Sequence, residues 1–200
     1  MLKAKPGAEA LTIGEFIERY ADADEKYELV NGEAVAMAGA SSHHNIVATN
    51  LLVRLSNYLR GTSCRPFNSD ARLELDAGNI RFPDVAIYCD PRDTRVGDVA
   101  TFSHPRVIIE VLSRSTARFD KLFKMIEYRR IASVDSIVII EPASRVIELH
   151  ERINATEWRV LTLIHGAALT LRDPAVTLTA DEIFDGIDDG ESGDEVDSRG

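Results

Sequence analysis

The sequence predicts an α/β fold, a mixed β-sheet flanked by helices, because apolar runs of strand length alternate with helical segments. Arg106–Leu112 and Ser136–Ile140 are almost continuously apolar, as expected for central strands covered on both faces. Apolar residues recur at helical spacing within His44–Leu59, and a further helix is expected around Ala117–Ile131. Helices that precede and follow buried strands favour the α/β class.

The N-terminal part predicts a short helix followed by a β-hairpin. Thr12 and Glu15 have the spacing of a capping box, so the helix is expected to begin after Thr12. Asn31–Gly32 joins Glu28–Val30 to Glu33–Met37, and Asn-Gly is the strongest two-residue hairpin signal.

The middle of the chain predicts a capped helix and a pair of strands. Ser41 and the residue after it are expected to cap the second helix, and Gly61 is expected to end it. Arg72–Leu75 and Ile80–Tyr88 are interpreted as paired strands, and residues 89–105 as a long polar loop.

The C-terminal part predicts an outer β-hairpin and an acidic tail. Arg145–Glu151 and Glu157–Leu163 alternate in polarity and form the hairpin. We expect residues 1–185 to form one domain and residues 186–200 to be a disordered tail. The net charge is −10, but nine acidic residues and one arginine lie in 181–200, so the body is nearly neutral. Charge therefore neither supports nor excludes nucleic-acid binding.

Composition predicts a cytoplasmic protein that does not span a membrane. The sequence has no apolar run near 18 residues and no apolar stretch behind its first lysines, so neither a span nor a secretory signal is expected. Cys64 and Cys89 are far apart without a CxxC pattern, which suits unpaired thiols in a reducing compartment. A single bridge between them stays open.

Asp84 and Glu110 are carboxylates in mid-strand, within apolar runs that are expected to be neighbours. Burial of an unpaired carboxylate is costly, so a sequence that does this twice predicts a charged site. Two such groups at a sheet edge suit Mg²⁺ or Mn²⁺, which neutralises charge that burial would otherwise protonate. The ion polarises a phosphodiester and lowers the pKa of a bound water.

The helix after Glu110 supplies a cation. Asp120 and Lys124 lie about 40° apart on a helix, and Tyr128 continues their face. We expect Lys124 to lean over the strand carboxylates and to hold an attacking water or a phosphate oxygen. An ordinary surface pair of Asp120 with Lys124 is the competing interpretation. The side chains expected to pack this helix on the sheet are Phe119, Phe123 and Ile126.

The pattern Pro83-Asp84, twenty-five residues, Glu110 resembles the PD-(D/E)XK nuclease motif, and the fuller pattern resembles the Uma2-like branch of restriction endonuclease domains. The residues that carry this resemblance are Tyr27–Glu33, His44, Phe82–Val85, Glu110–Ser113, Ser115–Thr116, Asp120, Lys124, Tyr128 and Ile139–Pro142. The resemblance covers about residues 10–185, nearly the whole chain.

The resemblance implies a restriction-endonuclease-like core and a divalent-metal phosphodiesterase site. It implies Asp84 and Glu110 as metal ligands, with the backbone carbonyl of Val111 as a third. Glu28 or Glu33, on the early hairpin, is implied as a further carboxylate, and the sequence does not choose between them.

One departure from the motif concerns its lysine. The motif expects lysine two residues after the glutamate, where this chain has Leu112. The resemblance implies that Lys124 takes its place, with Lys121 as the weaker candidate. The further candidate site residues are His44, Asp120 and Tyr128.

Two functions from different classes follow from the sequence. The first is a Mg²⁺- or Mn²⁺-dependent endonuclease acting on DNA, expected to work as a homodimer, with RNA as a substrate left open. The second is a catalytically silent nuclease fold that serves as a binding or assembly module. The replaced motif lysine and the lack of a basic stripe in the sequence favour this alternative.

Overall fold

The computed structural model describes residues 10–20, 22–37, 39–95, 101–113 and 118–187, without the side chains of 118–121. The helices within these residues are α1 (Ile13–Tyr20), α2 (Ser42–Tyr58), α3 (Arg118–Arg130) and α4 (Ala180–Phe184). The strands are β1 (Tyr27–Val30), β2 (Glu33–Ala36), β3 (Arg65–Asn68), β4 (Leu73–Glu74), β5 (Ile80–Arg81), β6 (Val85–Tyr88), β7 (Pro105–Val111), β8 (Ser136–Glu141), β9 (Val146–Arg152), β10 (Trp158–Leu163), β11 (Leu169–Arg172) and β12 (Ala175–Leu178).

A six-stranded mixed sheet forms the centre of the molecule, in the order β10-β9-β8-β7-β6-β3. Strands β7 and β8 are parallel and are joined through α3, whereas the other neighbours in the sheet pair antiparallel. The β9–β10 hairpin lies at one edge. The predicted mixed α/β fold with an outer hairpin is therefore confirmed.

Strand β7 buries side chains on both of its faces. Val107 and Ile109 pack in a core that includes buried residues of α2, and Ile108 packs in a second core with Met125 and Tyr128 of α3. Successive side chains of a strand point to opposite faces, so Glu110 lies on the same face as Ile108. The sequence of β7 thus directs its one carboxylate toward α3.

Helix α3 packs on the sheet through a different face from the predicted one. Met125 and Tyr128 are buried, whereas Phe123 and Ile126 are 62% and 43% exposed, and the side chain of Phe119 lies outside the described residues. The prediction for Phe123 and Ile126 is wrong because it counted only apolar side chains. The face toward the sheet instead carries polar side chains with partners there.

A smaller sheet, in the order β2-β1-β5-β4, accounts for a second difference. The segment Ile80–Tyr88, predicted as one strand, is divided between β5 in the small sheet and β6 in the large one. The break lies at Phe82–Asp84, where Pro83 has no N–H to continue a ladder of hydrogen bonds. This crossing brings the two sheets together next to Asp84.

The predicted local signals at the N-terminal elements are present. The Thr12 N–H donates to Glu15 Oε2 at 2.9 Å, which completes the capping box. Asn31 and Gly32 have φ angles of 51° and 81°, as a type I′ hairpin turn requires. The Ser41 hydroxyl caps α2 by accepting the third backbone N–H of the helix.

Strand β3, the β11–β12 hairpin and α4 were not predicted. β3 contains Pro66, which reads as a loop signal but is tolerated because β3 is an edge strand. Helix α4 has five residues, too few for a periodic pattern, and packs on α2 through the buried Ile183 and Phe184. The predicted tail falls mainly on residues 188–200, which lie outside the described residues.

Cys64 and Cys89 form a disulfide. Cys64 directly precedes Arg65 of β3 and Cys89 directly follows Tyr88 of β6, and Arg65 and Tyr88 are paired in the sheet. The expectation of unpaired thiols is therefore wrong in this structure, and it failed because β3 was not predicted. Among the described residues, no helix has the length and apolar character that a bilayer crossing requires.

Candidate active site

The two predicted carboxylates lie side by side at the end of the β6–β7 pair. Val85 pairs with Ile109, and Asp84 and Glu110 are one position beyond that pair on their strands. Glu110 is within β7, but Asp84 immediately precedes β6 rather than lying in mid-strand as predicted. The backbone N–H of Val111 donates to Asp84 Oδ2 at 2.7 Å, which fixes one strand end against the other.

A cavity of about 280 Å³ contains both carboxylates. The predicted residues Asp84, Glu110, Val111, Lys124 and Tyr128 all line it, together with His44. Its apolar wall is formed by Met37, Ala40, Leu112, Met125 and Ile139. The structure thus brings Asp84, just before β6, together with residues of β7, α2 and α3. The side chains of Asp84, Glu110, His44 and Lys124 are each less than 15% exposed, so their charges interact more strongly than on the surface.

His44 is brought to the site by the N-terminus of α2. Its Nε2 lies 3.0 Å from Asp84 Oδ1, and its backbone N–H is the one that the Ser41 cap accepts. The hydrogen bond to Asp84 raises the pKa of His44, although burial works in the opposite direction. The capping serine therefore also places the imidazole beside the carboxylate.

Glu110 is held between Tyr128 and Lys124. The Tyr128 hydroxyl donates to Glu110 Oε1 at 2.7 Å, and Lys124 Nζ lies 3.7 Å from the same oxygen. The pKa of the Glu110 carboxyl is raised to about 7, chiefly by burial and also by the charge of Asp84, while Lys124 and Tyr128 act in the opposite direction. Glu110 is thus a carboxylate whose ionised form needs more positive charge than these residues provide.

Lys124 lies between two carboxylates rather than on the surface. Its Nζ is 3.0 Å from Glu28 Oε1 as well as 3.7 Å from Glu110, and its side chain is only 12% exposed. The competing interpretation of an exposed pair with Asp120 does not fit this burial. The side chains of Asp120 and Lys121 lie outside the described residues.

The two hairpin carboxylates that the sequence left open differ in their contacts. Glu28 is buried and contacts Lys124, whereas Glu33 is exposed on β2, and neither of them lines the cavity. Alternation does not separate the two, because Glu33 is opposite Val30 and therefore lies on the same face of the hairpin as Glu28. They differ in strand, since Glu28 is on β1 between two neighbouring strands, whereas Glu33 is next to the turn on the edge strand β2.

Arg81 and Glu127 are charged residues of this region that the sequence did not single out. Arg81 is 2% exposed and forms ion pairs with Glu28 at 2.7 Å and Glu127 at 2.8 Å. Burial lowers the pKa of Arg81, but the two carboxylates outweigh it and the net shift is upward. Arg81 could have been singled out in the sequence because it stands between two apolar residues, Ile80 and Phe82.

The described charges of this cluster suit a divalent cation. In the state with His44 neutral and all four carboxylates (Asp84, Glu110, Glu28 and Glu127) ionised, two fixed cations, Arg81 and Lys124, leave a formal charge of −2, and below pH 7 a proton on Glu110 reduces it. In the described part of the chain, no three His, Cys, Asp or Glu side chains form a metal-binding group. The donors fit Mg²⁺ or Mn²⁺, which use one or two carboxylates with water and phosphate oxygens, better than zinc.

The comparisons with known proteins agree with this geometry. Residues 13–181 match the family model described as "Uma2: Putative restriction endonuclease". The chain belongs to the Uma2 family. The resemblance proposed from Asp84, Glu110 and the surrounding pattern is thereby confirmed, and membership of Uma2 supports a nuclease function.

Two proteins of Synechocystis sp. (strain ATCC 27184 / PCC 6803 / Kazusa) are similar to this Uma2 chain. Uncharacterized protein slr1290 is 29% identical over 164 residues, which cover 82% of this chain and 85% of that protein. Uncharacterized protein sll1609 is 31% identical over 156 residues, which cover 77% and 88% respectively.

A solved structure shares the fold of this Uma2 chain. It is the crystal structure of a "putative nuclease belonging to DUF820" from Anabaena variabilis ATCC 29413. The TM-score is 0.72 with 16% identity, over 87% of this chain and 97% of that one. Identity at this level shows the fold alone.

Proposed function

We propose that this Uma2 protein is a divalent-metal-dependent endonuclease that acts on DNA. The observation that carries the proposal is the convergence of Asp84 and Glu110, from neighbouring strands, with Lys124 in one cavity. Two hard carboxylates beside an ammonium are the groups that phosphodiester hydrolysis uses.

Asp84 and Glu110 are proposed to hold Mg²⁺ or Mn²⁺, with the backbone carbonyl of Val111 as a third ligand. The uncompensated negative charge of the cluster and the raised pKa of Glu110 support a cation there. When bound, the ion polarises the scissile phosphate and lowers the pKa of a water. Tyr128 and His44 orient the two carboxylates through their hydrogen bonds, as outer partners of metal ligands do.

Lys124 is proposed to orient the attacking water or a phosphate oxygen. Its ammonium is 3.0 Å from Glu28 and 3.7 Å from Glu110, which places a positive charge beside the carboxylate that is proposed to hold the metal. Positive charge placed there before the reaction stabilises negative charge that develops on the phosphorus oxygens.

The proposal is tested by cleavage of supercoiled, linear and single-stranded DNA, with RNA in parallel, in Mg²⁺ or Mn²⁺. Wild type is expected to cut DNA, and Asp84→Ala and Glu110→Gln are expected to lose the cut. Metal-dependent cleavage that persists in Asp84→Ala would contradict the assignment. Preferred cleavage of RNA would change the substrate but not the site, and sedimentation of the active protein tests the expected homodimer.

A catalytically silent binding module is the second candidate. It is favoured by the pairing of both described lysines in the cavity wall with carboxylates, Lys26 with Asp70 and Lys124 with Glu28, which weakens attraction for phosphate. Calorimetric titration with Mn²⁺ separates the candidates. Binding that Glu110→Gln abolishes supports a metal site, whereas no binding and no cleavage support the silent module.

A further inference from the structure

Arg81 contacts carboxylates from two different elements beneath the cavity. Its Nη1 donates to Glu28 Oε2 of β1 at 2.7 Å, and its Nε donates to Glu127 Oε2 of α3 at 2.8 Å. The arginine side chain is only 3% exposed. A planar guanidinium with five donors can hold two carboxylates in fixed directions, which a lysine cannot.

The two oxygens of Glu28 have different partners. Oε2 accepts from Arg81, while Oε1 is 3.0 Å from Lys124 Nζ and 3.4 Å from the backbone N–H of Phe82. Arg81 therefore neutralises the side of Glu28 that faces away from Lys124. It leaves a single oxygen to attract the ammonium, which also remains near Glu110.

Asn79, next to β5 of the small sheet, also holds Glu127, the α3 residue that Arg81 contacts. Asn79 donates to Glu127 Oε1 at 2.6 Å and accepts the backbone N–H of Asn31 at 2.8 Å. Glu127 and Lys124 are three residues apart and lie on one side of α3. Fixing Glu127 thus fixes the helix segment from which Lys124 projects.

We infer that Arg81 is a positioning residue of the active site, which sets the location of Lys124 between Glu28 and Glu110. The expected effect of Arg81 on kcat rests on the proposed nuclease function, whereas its expected effect on the position of Lys124 rests on geometry alone. Without the guanidinium, Glu28 carries its full charge toward Lys124, and the ammonium is drawn away from Glu110. Glu127 also loses its cation, so the helix segment is less firmly held.

A double-mutant cycle between Arg81 and Glu28 tests the inference. Arg81→Gln is expected to lower kcat about tenfold or more with a KM change of less than about twofold, since a displaced group acts in the reaction step. Adding Glu28→Gln removes the charge that misplaces Lys124, so the double variant is expected to recover at least about threefold over Arg81→Gln. A double variant as slow as Arg81→Gln, or slower, would overturn the inference.

Glu151→Gln is the matched control. Glu151 of β9 is 2% exposed and forms ion pairs with Arg159 and Arg172, so it is also a buried carboxylate held by arginine. It does not line the cavity. It is expected to lower thermal stability while kcat stays within about twofold of wild type. If kcat falls in proportion to stability in Glu151→Gln and in Arg81→Gln alike, the role of Arg81 is only structural.

A crystal structure of Arg81→Gln tests the placement without any activity. Lys124 Nζ is expected to stay with Glu28 and to lie farther from Glu110 than the present 3.7 Å. An unchanged position would overturn the inference even if wild type proves inactive, which would be a failure of the proposed function alone. Should Arg81→Gln not fold, Arg81→Lys serves in both experiments, because its one ammonium cannot bridge Glu28 and Glu127 as the guanidinium does.

Discussion

Tyr128 donates a hydrogen bond of 2.7 Å to Glu110 where α3 crosses β7. This contact favours the ionised carboxyl, because a hydroxyl donor stabilises negative charge, while the surrounding burial opposes ionisation. Tyr128 therefore packs α3 on the sheet and also stabilises the ionised form of Glu110, which is the form that binds a cation. Removing only its oxygen separates these two roles.

Tyr128→Phe is expected to weaken Mn²⁺ binding about 10- to 100-fold, the usual effect of losing an outer partner of a ligand. The ring remains, so α3 is expected to stay folded on the sheet. Tyr88→Phe is the control, because the Tyr88 hydroxyl is buried with no hydrogen-bond partner among the described residues. Calorimetric titration of both variants makes the comparison, and equal affinities would contradict the role of Tyr128.

Glu110 makes the stability of the metal-free protein depend on pH. Its pKa of about 7 when folded exceeds the ordinary value of 4.5 for a glutamate, so the folded state binds more protons and stability falls as pH rises between these values. The raised pKa of His44 acts in the same direction, since that contribution is lost as pH rises through the folded pKa. Wild type is expected to lose several degrees of Tm from pH 5 to pH 8, at about 2–4 °C per kcal/mol. Added Mn²⁺ at pH 8 is expected to restore them.

Glu110→Gln is expected to stabilise the metal-free protein at pH 8 while it abolishes Mn²⁺ binding. The amide keeps an oxygen for Tyr128 but carries no buried charge, and a gain of about 1–3 kcal/mol follows from the size of the pKa shift. Its Tm is expected to vary less with pH than that of wild type. Parallel pH profiles of Tm in the two proteins would show that Glu110 is not the titrating group.

Lys124→Ala is expected to lower the cleavage rate by about 10²–10³, the usual cost of removing one charge-stabilising donor. Mn²⁺ binding should remain, since Asp84 and Glu110 are intact. Lys26→Ala is the control, because Lys26 lines the same cavity but pairs with the exposed Asp70 rather than with Glu28 and Glu110. Both variants are compared in single-turnover cleavage of one DNA, and equal losses would mean that Lys124 has no special role.

The exposed face of α3 gives a test of its packing. Phe123→Ser is expected to change the free energy of unfolding by less than about 0.5 kcal/mol, because the ring is 62% exposed. Met125→Ala is expected to cost about 2–4 kcal/mol, because Met125 is buried in the core beneath the helix. Urea unfolding of both variants measures the difference. A larger loss of unfolding free energy in Phe123→Ser than in Met125→Ala would mean that the face predicted from the sequence is the buried one.

Much of the site could be predicted because its residues conflict with their surroundings. Glu110 stands in a run of β-branched residues, and no local structure explains a carboxylate there. The Thr12 capping box and the Asn31–Gly32 turn were equally accessible, because their signals lie within a few residues of one another. Local patterns thus predicted the cap and the turn, and a carboxylate within an apolar run predicted where the candidate site lies.

What could not be predicted depends on contacts between distant segments. The pairing of Arg81 with Glu127 and the choice of Glu28 over Glu33 follow from how the small sheet meets α3. The rotation of α3 was missed for the same reason, because its inward face is chosen by Glu110 and Glu28 rather than by its own apolar residues. The spacing of apolar residues within α3 contains no information about Glu110 or Glu28.

The attachment of α3 has a consequence for how this protein can change over evolutionary time. Lys124, Glu127 and Tyr128 contact Glu28, Arg81 and Glu110, so the groups of the proposed chemistry are also the groups that fasten the helix. A lineage that loses the proposed reaction cannot discard Arg81, Glu28 or Glu127 singly without taking a partner from a buried ion pair. Charges kept at these positions are therefore explained by the attachment of α3 as well as by the proposed cleavage, unlike catalytic groups on loops that have no role in packing.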